Sequence, residues 1–341
     1  MSLPTRPRAA IVGLQGVTIG AEERQLFRRQ PPSGFILFAR NCVEPAQVAA
    51  LTRELRGLFP GRQVPVLIDQ EGGRVMRLRP PHWPALPAAA RIGALAEADI
   101  GRAVEAAGRL GRAIGEELRA VGIDVDCAPC LDVGRPETTA AIGSRAFAAD
   151  PILVGRLGRT VAEGLLQAGV LPVIKHLPGH GRATVDSHEL LPVVDAGRAE
   201  LEALDFVPFR MNADLPLAMT AHVVYTAIDP ELPATQSATV IGEVIRGAIG
   251  FRGILLSDDL GMKALGGTFA DRAAQARAAG CDIALHCSGD LGEAGEVLGA
   301  AGDLAEAVSD RLSSALAEAG QAPAAPRGAA LARLNELLAV A

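Results

Sequence analysis

The sequence predicts an α/β protein built as one (β/α)₈ TIM barrel, and three observations carry that prediction. Short β-branched or apolar runs recur eight times, each followed by a Gly, Pro or polar cluster and then a helix-like Ala/Leu/Arg/Glu stretch. The runs are continuously apolar rather than alternating, which a parallel sheet covered on both faces requires. Eight such units in 341 residues, with no break in composition between them, fit a closed barrel with one long insertion better than a doubly wound open sheet.

Taken in order, strands are expected at 9–14, 34–40, 64–69, 121–129, 170–176, 215–222, 253–258 and 281–286. Helices are expected between them at 22–29, 45–58, 102–120, 152–168, 198–212, 238–249 and 271–279, and two more close the chain. The insertion covers about 74–101, after the third strand. Its Pro-rich stretch 80–87, with His82 and the only Trp, reads as a loop over the barrel mouth. A flexible stretch at 320–328 precedes a last helix at about 329–340, and a single barrel domain over 1–341 is expected.

Composition narrows the function classes. With 49% hydrophobic and 21% charged residues and a net charge of −6, the chain is neither disordered nor fibrous. Its apolar runs fall far short of the roughly 20 residues that a membrane-spanning helix needs. Arg6 and Arg8 before the run 9–14 mimic a signal peptide, but the run is short and no convincing cleavage site follows. A cytoplasmic protein with no membrane partner is expected. Five cysteines are no disulfide framework. Aromatics are 3% and Asp plus Glu outnumber Lys plus Arg by 39 to 33. That combination lacks both the stacking platforms and the basic groove of a nucleic-acid binder. No long apolar stripe is left over for an interface, so a monomer is expected.

In such a barrel, catalytic groups sit at the C-terminal ends of the strands. Polar residues collect there: Asp69 to Arg74, Lys175 to Gly181, His222, and Ser257 to Asp259. Singly, each has a bland reading as a capping or surface group; together they exceed what a solvated rim needs. The densest stretch, 175–188, holds three of the six histidines. Pro178 and Gly179 break the helical spacing by which zinc motifs align two imidazoles, so His176, His180 and His188 are not expected to bind a metal. The run also lacks the GK[ST] ending of a phosphate loop, and no cofactor is expected.

Asp186 stands two residues before His188, a spacing that lets a carboxylate orient an imidazole and raise its basicity. The pair is a candidate acid/base, against the plainer reading of a loop histidine that caps a helix. Asp258 and Asp259 end the seventh run, and because neighbours on a strand point to opposite sides, only one easily faces the mouth. An Asp nucleophile with a separate proton donor is the equipment of retaining glycoside hydrolysis, here with His in place of the usual second carboxylate. Cys127 and Cys130 spell C-x-x-C, yet they sit on a strand run and not at a helix N-terminus. They read as buried small hydrophobes rather than a redox pair.

Six ordered motifs now stand together: DQEGGRVMRL from Asp69, APCLDV from Ala128, IGSRAF from Ile142, KHLPGHG from Lys175, DSH from Asp186 and SDDLGM from Ser257. Nearly end to end, the chain resembles glycoside hydrolase family 3, specifically its NagZ-type β-N-acetylhexosaminidases of bacterial cell-wall recycling. The resemblance implies that Asp258 is the nucleophile and His188 the acid/base on a mobile loop, assisted by Asp186. It implies further that Asp69, Arg77, Arg145, Lys175 and His176 grip an N-acetylglucosamine ring through its hydroxyls and acetamido group, for which carboxylate acceptors and fixed cationic donors are suited. Holding one terminal sugar by polar contacts needs no aromatic platform. Exo-action on a small soluble glycoside is therefore expected, the implied substrate being N-acetylglucosaminyl-1,6-anhydro-N-acetylmuramyl peptides.

The sequence departs from the family pattern in three respects. Cys130 stands in place of Val, Arg182-Ala183 in place of Asp-Thr, and no room is left for the second α/β domain of many members, so the loop is expected to complete the site itself. Three other functions are carried alongside. A phosphorylase of the same family would release a sugar 1-phosphate, a β-glucosidase is disfavoured by the KHLPGHG and DSH motifs, and a non-catalytic muropeptide-binding protein would bind without turnover.

Overall fold

The computed structural model describes residues 6–323 and 327–339. Part of the expected flexible stretch and the expected helix end at Val340 lie outside the described residues. Eight parallel strands close into a barrel in sequence order: β1 Arg8–Gly13, β2 Pro32–Leu37, β3 Val66–Ile68, β4 Val125–Asp126, β5 Leu171–Leu177, β6 Leu217–Thr220, β7 Ile254–Asp259 and β8 Ile283–His286, with β8 paired back onto β1. Around them lie α1 Ala21–Arg29, α2 Pro45–Gly57, α3 Ala89–Ala98, α4 Ile100–Ala120, α5 Pro151–Gln167, α6 Arg198–Ala203, α7 Val207–Arg210, a π-type segment Val240–Ala248, α8 Phe269–Ala279, α9 Leu291–Ala300, α10 Glu306–Gly320 and α11 Ala329–Ala339. Among the described residues, no helix is long and apolar enough to cross a membrane.

Strand alternation explains why the runs are apolar throughout. Ala9, Ile11, Ile36, Leu67, Val173, Leu217, Leu256 and Leu285 fill the barrel interior. Their neighbours Ala10, Val12, Phe35, Leu37, Val66, Ile68 and Leu255 pack outward beneath the helices, so both faces are dry. Val308, Leu312 and Ala319 of α10 join the interior core. Leu304 N–H donates to the carbonyl of Pro7 just ahead of β1, so α10 closes the end of the barrel opposite the strand C-termini.

The expected elements differ from the observed ones at several places: α3 forms inside the insertion, and three helices, α9 to α11, rather than two close the chain. The fourth run pairs regularly only at Val125–Asp126; Pro129 has no N–H to give a ladder, and Cys130 meets Lys175 by an isolated bridge. The 198–212 helix is broken into α6 and α7 at Leu204–Phe206, because Pro208 tolerates only the first turn of a helix. The 238–249 stretch forms the wider π-type segment. A short parallel pair, Val193–Val194 with Val224–Tyr225, was not expected; it ties the loop after β5 to the loop after β6. Finally, residues 80–87 do not roof the mouth: Trp83 and Leu86 are buried with Met76, Leu78 and Ile92 in the outer core, and of the insertion only Arg74, Val75 and Arg77 line the mouth cavity.

Small residues bring α4 and α5 together. A Cβ on Gly111 would lie 2.0 Å from Val161 O, and one on Gly164 would lie 2.4 Å from Gly108 O. Gly111→Ala therefore has to push two helices apart, and a loss of about 1–3 kcal/mol is expected. A urea titration should show a lower midpoint at unchanged slope. Gly57→Ala, with open space around the new methyl, should show no such loss.

Candidate active site

The β3 end delivers the first carboxylates. Lys175 Nζ lies 2.7 Å from Asp69 Oδ1, and Arg77 Nη2 lies 3.3 Å from Asp69 Oδ2. Arg77 returns over Asp69 because Gln70, itself buried, accepts the N–H groups of Arg77 and Leu78 and donates to Leu78 O. Gly72 turns this hairpin with φ +98°, and a Cβ there would sit 2.2 Å from Pro87 O; only glycine fits.

Glu71 is the hub of the charged floor. Arg145, on the short turn Gly143–Arg145, donates to it through a fork, Nε to Oε2 at 2.9 Å and Nη2 to Oε1 at 2.7 Å. Lys175 Nζ reaches the same Oε1 at 2.7 Å. Burial opposes ionisation of Glu71, but Arg145 and Lys175 outweigh it and hold the carboxyl below the usual carboxylate range. Burial likewise opposes the Lys175 cation, and Asp69 and Glu71 outweigh it, so the ammonium persists.

A second brace sets His176. Its Nδ1 lies 2.7 Å from Asp132 Oδ2, which also accepts the Cys130 thiol at 3.2 Å. Asp132 Oδ1 accepts the His180 N–H at 2.6 Å. A carboxylate at Nδ1 places the imidazole proton there, leaving Nε2 free toward the cavity and Arg145 Nη2, 3.4 Å away. Among the described residues, Cys130, Asp132 and His176 form the one group whose ligand atoms come within 4.8 Å of one another. Their donors and acceptors are spent on each other, and burial pushes the Cys130 thiol up, which suits a hydrogen-bonded brace better than a metal site. All five cysteines are free, Cys127 and Cys130 included.

Asp258 ends β7. Burial acts to raise its carboxyl, but the hydrogen-bond donors and positive charge around it outweigh burial and hold it below the ordinary value. Asp259 also lines the cavity, contrary to the expectation that only one of the two faces the mouth. Its Oδ1 is occupied, accepting the N–H groups of Gly261 at 2.9 Å and Cys287 at 3.0 Å, so it braces the loop while Asp258 faces the space.

The loop after β5 carries the last pair. Asp186 Oδ1 lies 2.7 Å from His188 Nδ1 and accepts the His188 N–H at 2.9 Å; the imidazole is 67% exposed. Between them Ser187 is buried, its Oγ 3.2 Å from His180 Nε2 and its carbonyl accepting the Ala264 N–H. Burial lowers His180 to about 4, so at neutral pH it offers a neutral partner to Ser187. Arg182, the departure from the family pattern, has a physical role: it pairs with buried Asp205 at 2.7 Å and with Glu200 at 2.6 Å, staking the base of the loop.

Asp69, Arg77, Arg145, Lys175, His176, Asp186, His188 and Asp258 all line one cavity of about 270 Å³. The sequence reasoning did not find Glu71, Asp132 or Phe38. The first two lie inside quoted motifs but act only through partners remote in sequence; Phe38, against which the guanidinium groups of Arg40 and Arg77 lie, gave no polar signal.

Asp126 supplies a test of the electrostatics. It is fully buried, Oδ1 accepts the Gln70 N–H, and Oδ2 has no partner. Burial pushes its carboxyl well above the ordinary value. A raised carboxyl makes folding bind a proton, so its penalty grows as pH rises from about 3.9 through the folded value. Asp126→Asn is expected to raise Tm at pH 8 and to raise it less at pH 5, as scanning calorimetry would register.

Comparison with known proteins places the chain in a family. The profile of the Glycosyl hydrolase family 3 N terminal domain matches residues 9–315. A beta-hexosaminidase of Alkalilimnicola ehrlichii is 44% identical over 284 residues, covering 82% of this chain and 80% of the relative. One from Pseudomonas aeruginosa is 39% identical over 281 residues, 82% of each chain. The crystal structure of NagZ from Neisseria gonorrhoeae in complex with zinc ion superposes with a TM-score of 0.85 at 31% identity, covering 98% of both chains. A matching profile over most of the length, curated relatives of one activity and a shared barrel leave one conclusion: the chain belongs to glycosyl hydrolase family 3 and is a glycosidase of its beta-hexosaminidase kind.

Proposed function

We propose that the protein is a retaining exo-β-N-acetylglucosaminidase that removes the terminal β-linked sugar from N-acetylglucosaminyl-1,6-anhydro-N-acetylmuramyl peptides, as a cytoplasmic monomer serving cell-wall recycling. The observation that carries the reading is the meeting of Asp258, the Asp186–His188 pair and the Asp69–Arg77–Lys175 cluster on one small cavity. About 270 Å³ lies near the lower end of ligand pockets, which run from about 300 to 1,000 Å³, and suits one sugar rather than a chain.

In the first step the Asp258 carboxylate attacks the anomeric carbon as the glycosidic bond breaks, and protonated His188 gives its proton to the leaving oxygen. In the second, neutral His188 takes a proton from water, which opens the glycosyl ester and frees Asp258. Asp186 holds Nδ1 of the imidazole, so Nε2 is the nitrogen that moves the proton. Lys175, Arg77 and Arg145 supply donors, and Asp69 an acceptor, for the ring hydroxyls and the acetamido group.

The test is nitrophenol release from the aryl β-N-acetylglucosaminide beside the aryl β-glucoside, with Asp258→Asn as the blank and phosphate added in a parallel arm. Selective turnover to free sugar is expected. Sugar 1-phosphate as the product, or equal turnover of the glucoside, would overturn the reading. His188→Ala should lose about 10²–10⁴-fold on the anhydromuropeptide, whose leaving group needs a proton, and far less in forming the glycosyl-enzyme from the nitrophenyl glycoside.

A further inference from the structure

We propose that His222 is a positioning residue, the centre of a buried hydrogen-bonded clamp with Thr220 and Thr235 that fixes the backbone N–H of the nucleophile and the backbone carbonyl of the residue after it. The proposal rests on the reading of Asp258 as that nucleophile. His222, Thr220 and Thr235 are each 0% exposed, and none of them lines the cavity, so they touch no sugar.

Their contacts run in one direction. The Asp258 N–H donates to Thr220 Oγ1 at 3.3 Å. Thr220 Oγ1 lies 2.8 Å from Thr235 Oγ1, which lies 2.7 Å from His222 Nδ1. His222 Nε2 lies 2.9 Å from the carbonyl of Asp259. A carbonyl only accepts, so Nε2 carries the proton; Nδ1 then accepts from Thr235, whose hydroxyl also lies 3.1 Å from the Ala221 carbonyl, and Thr235 accepts from Thr220. With Thr235 turned to the shorter of its two acceptors, one proton per group serves each link from Thr220 to Asp259, and the Ala221 carbonyl is the competing acceptor. Burial lowers His222 from its ordinary value, in keeping with the neutral ring.

The backbone has a need for this clamp. The ladder between β6 and β7 ends at the pair Met219–Leu256, two residues short of Asp258. On the β6 side, the segment that carries the reactive carboxylate is held by side chains instead of by strand pairing. A shift of about 1 Å at a reacting group costs on the order of 10²-fold in rate. A fully buried imidazole, where a phenyl ring fills similar space without desolvation cost, is explained by that requirement.

The experiment uses a 5-fluoro N-acetylglucosaminyl fluoride, which accumulates the glycosyl-enzyme and counts active sites, with the labelled peptide identified by mass. Wild type, His222→Phe, Thr235→Val, the double variant and His222→Gln are compared. Expected for His222→Phe and Thr235→Val is a glycosylation rate per labelled site lower by about tenfold or more at a KM within about threefold. The double variant should be no slower than the worse single. His222→Gln, whose amide can donate to Asp259 O, should recover much of the loss. Rates per labelled site within about twofold of wild type, with only the number of sites reduced, would reduce the clamp to a folding role; losses that multiply in the double variant would break it into separate parts. Thr235→Val alone decides the matter if His222→Phe does not fold. Wild-type label on a residue other than Asp258 is a different failure, that of the nucleophile assignment beneath the proposal.

Discussion

Asp258→Asn is expected to slow glycosylation by about 10⁴-fold while leaving sugar binding nearly unchanged. The reason lies in what the substitution keeps. Asn has the shape of Asp, and its Oδ1 can still accept the Asp259 N–H that the wild-type oxygen accepts at 2.8 Å. Lys175 remains held by Asp69 and Glu71. What is lost is a charged oxygen able to form the glycosyl ester, and the charge that stabilises the oxocarbenium-like transition state. Single-turnover rates and inhibitor affinity, measured on the same samples, separate the two effects. Asp258→Ala opens space on the same face of the sugar, so added azide should restore turnover and release the α-configured glycosyl azide. Asp259→Asn is the control: an amide oxygen can still accept the Gly261 and Cys287 amides, and most activity should survive. The reverse ranking of the two Asn variants would remove Asp258 from the role proposed for it.

What could be read from the sequence follows from how local each signal is. All eight strands were legible because each is a continuous apolar run closed by Gly, Pro or a charged cluster, and that pattern is set by burial on both faces. Where the pattern reached too far, local structure departed from it: regular pairing of the fourth run stops at Asp126 and gives way to isolated contacts around Pro129, and Pro208 restarts a helix instead of continuing one. Trp83 was misplaced because a Pro-rich stretch reads as a loop, whereas the indole needs burial and finds it beside Leu86 and Ile92. Of the residues that face the cavity, Asp69, Lys175, His176 and Asp258 were legible as polar groups at strand ends and Asp186 and His188 by their spacing, whereas Arg77 and Arg145 came only from the family resemblance. Glu71 and Asp132 were not assigned roles, since each is defined by partners remote in sequence: Arg145 and Lys175 for the one, His176 and His180 for the other. The same holds for the Thr220–Thr235–His222 chain, which no spacing in the sequence announces.

Glu71 is where this hidden layer carries the largest stability effect. Removing its carboxylate leaves Arg145 and the 2%-exposed Lys175 facing each other with only Asp69 to neutralise the ammonium. Breaking a buried pair by deleting one partner costs about 3–5 kcal/mol, because the other charge stays desolvated. Glu71→Ala is therefore expected to lose about that much stability and to raise KM, as the Arg145 fork loses its anchor and Lys175 leans wholly on Asp69. Glu71→Gln keeps the shape and one acceptor oxygen, and should lose less. The pH dependence has a definite sign. The folded Glu71 carboxyl lies below its unfolded value, so its contribution is fully present above about pH 4.3 and is lost as pH falls through the folded value. The Tm gap between wild type and Glu71→Gln should thus stay level from pH 8 to pH 6 and narrow below about pH 4. A gap that persists undiminished in acid would mean that Glu71 contributes by shape and not by charge, and the kinetic counterpart, an unchanged KM in Glu71→Gln, would show that Arg145 and Lys175 hold their places without it.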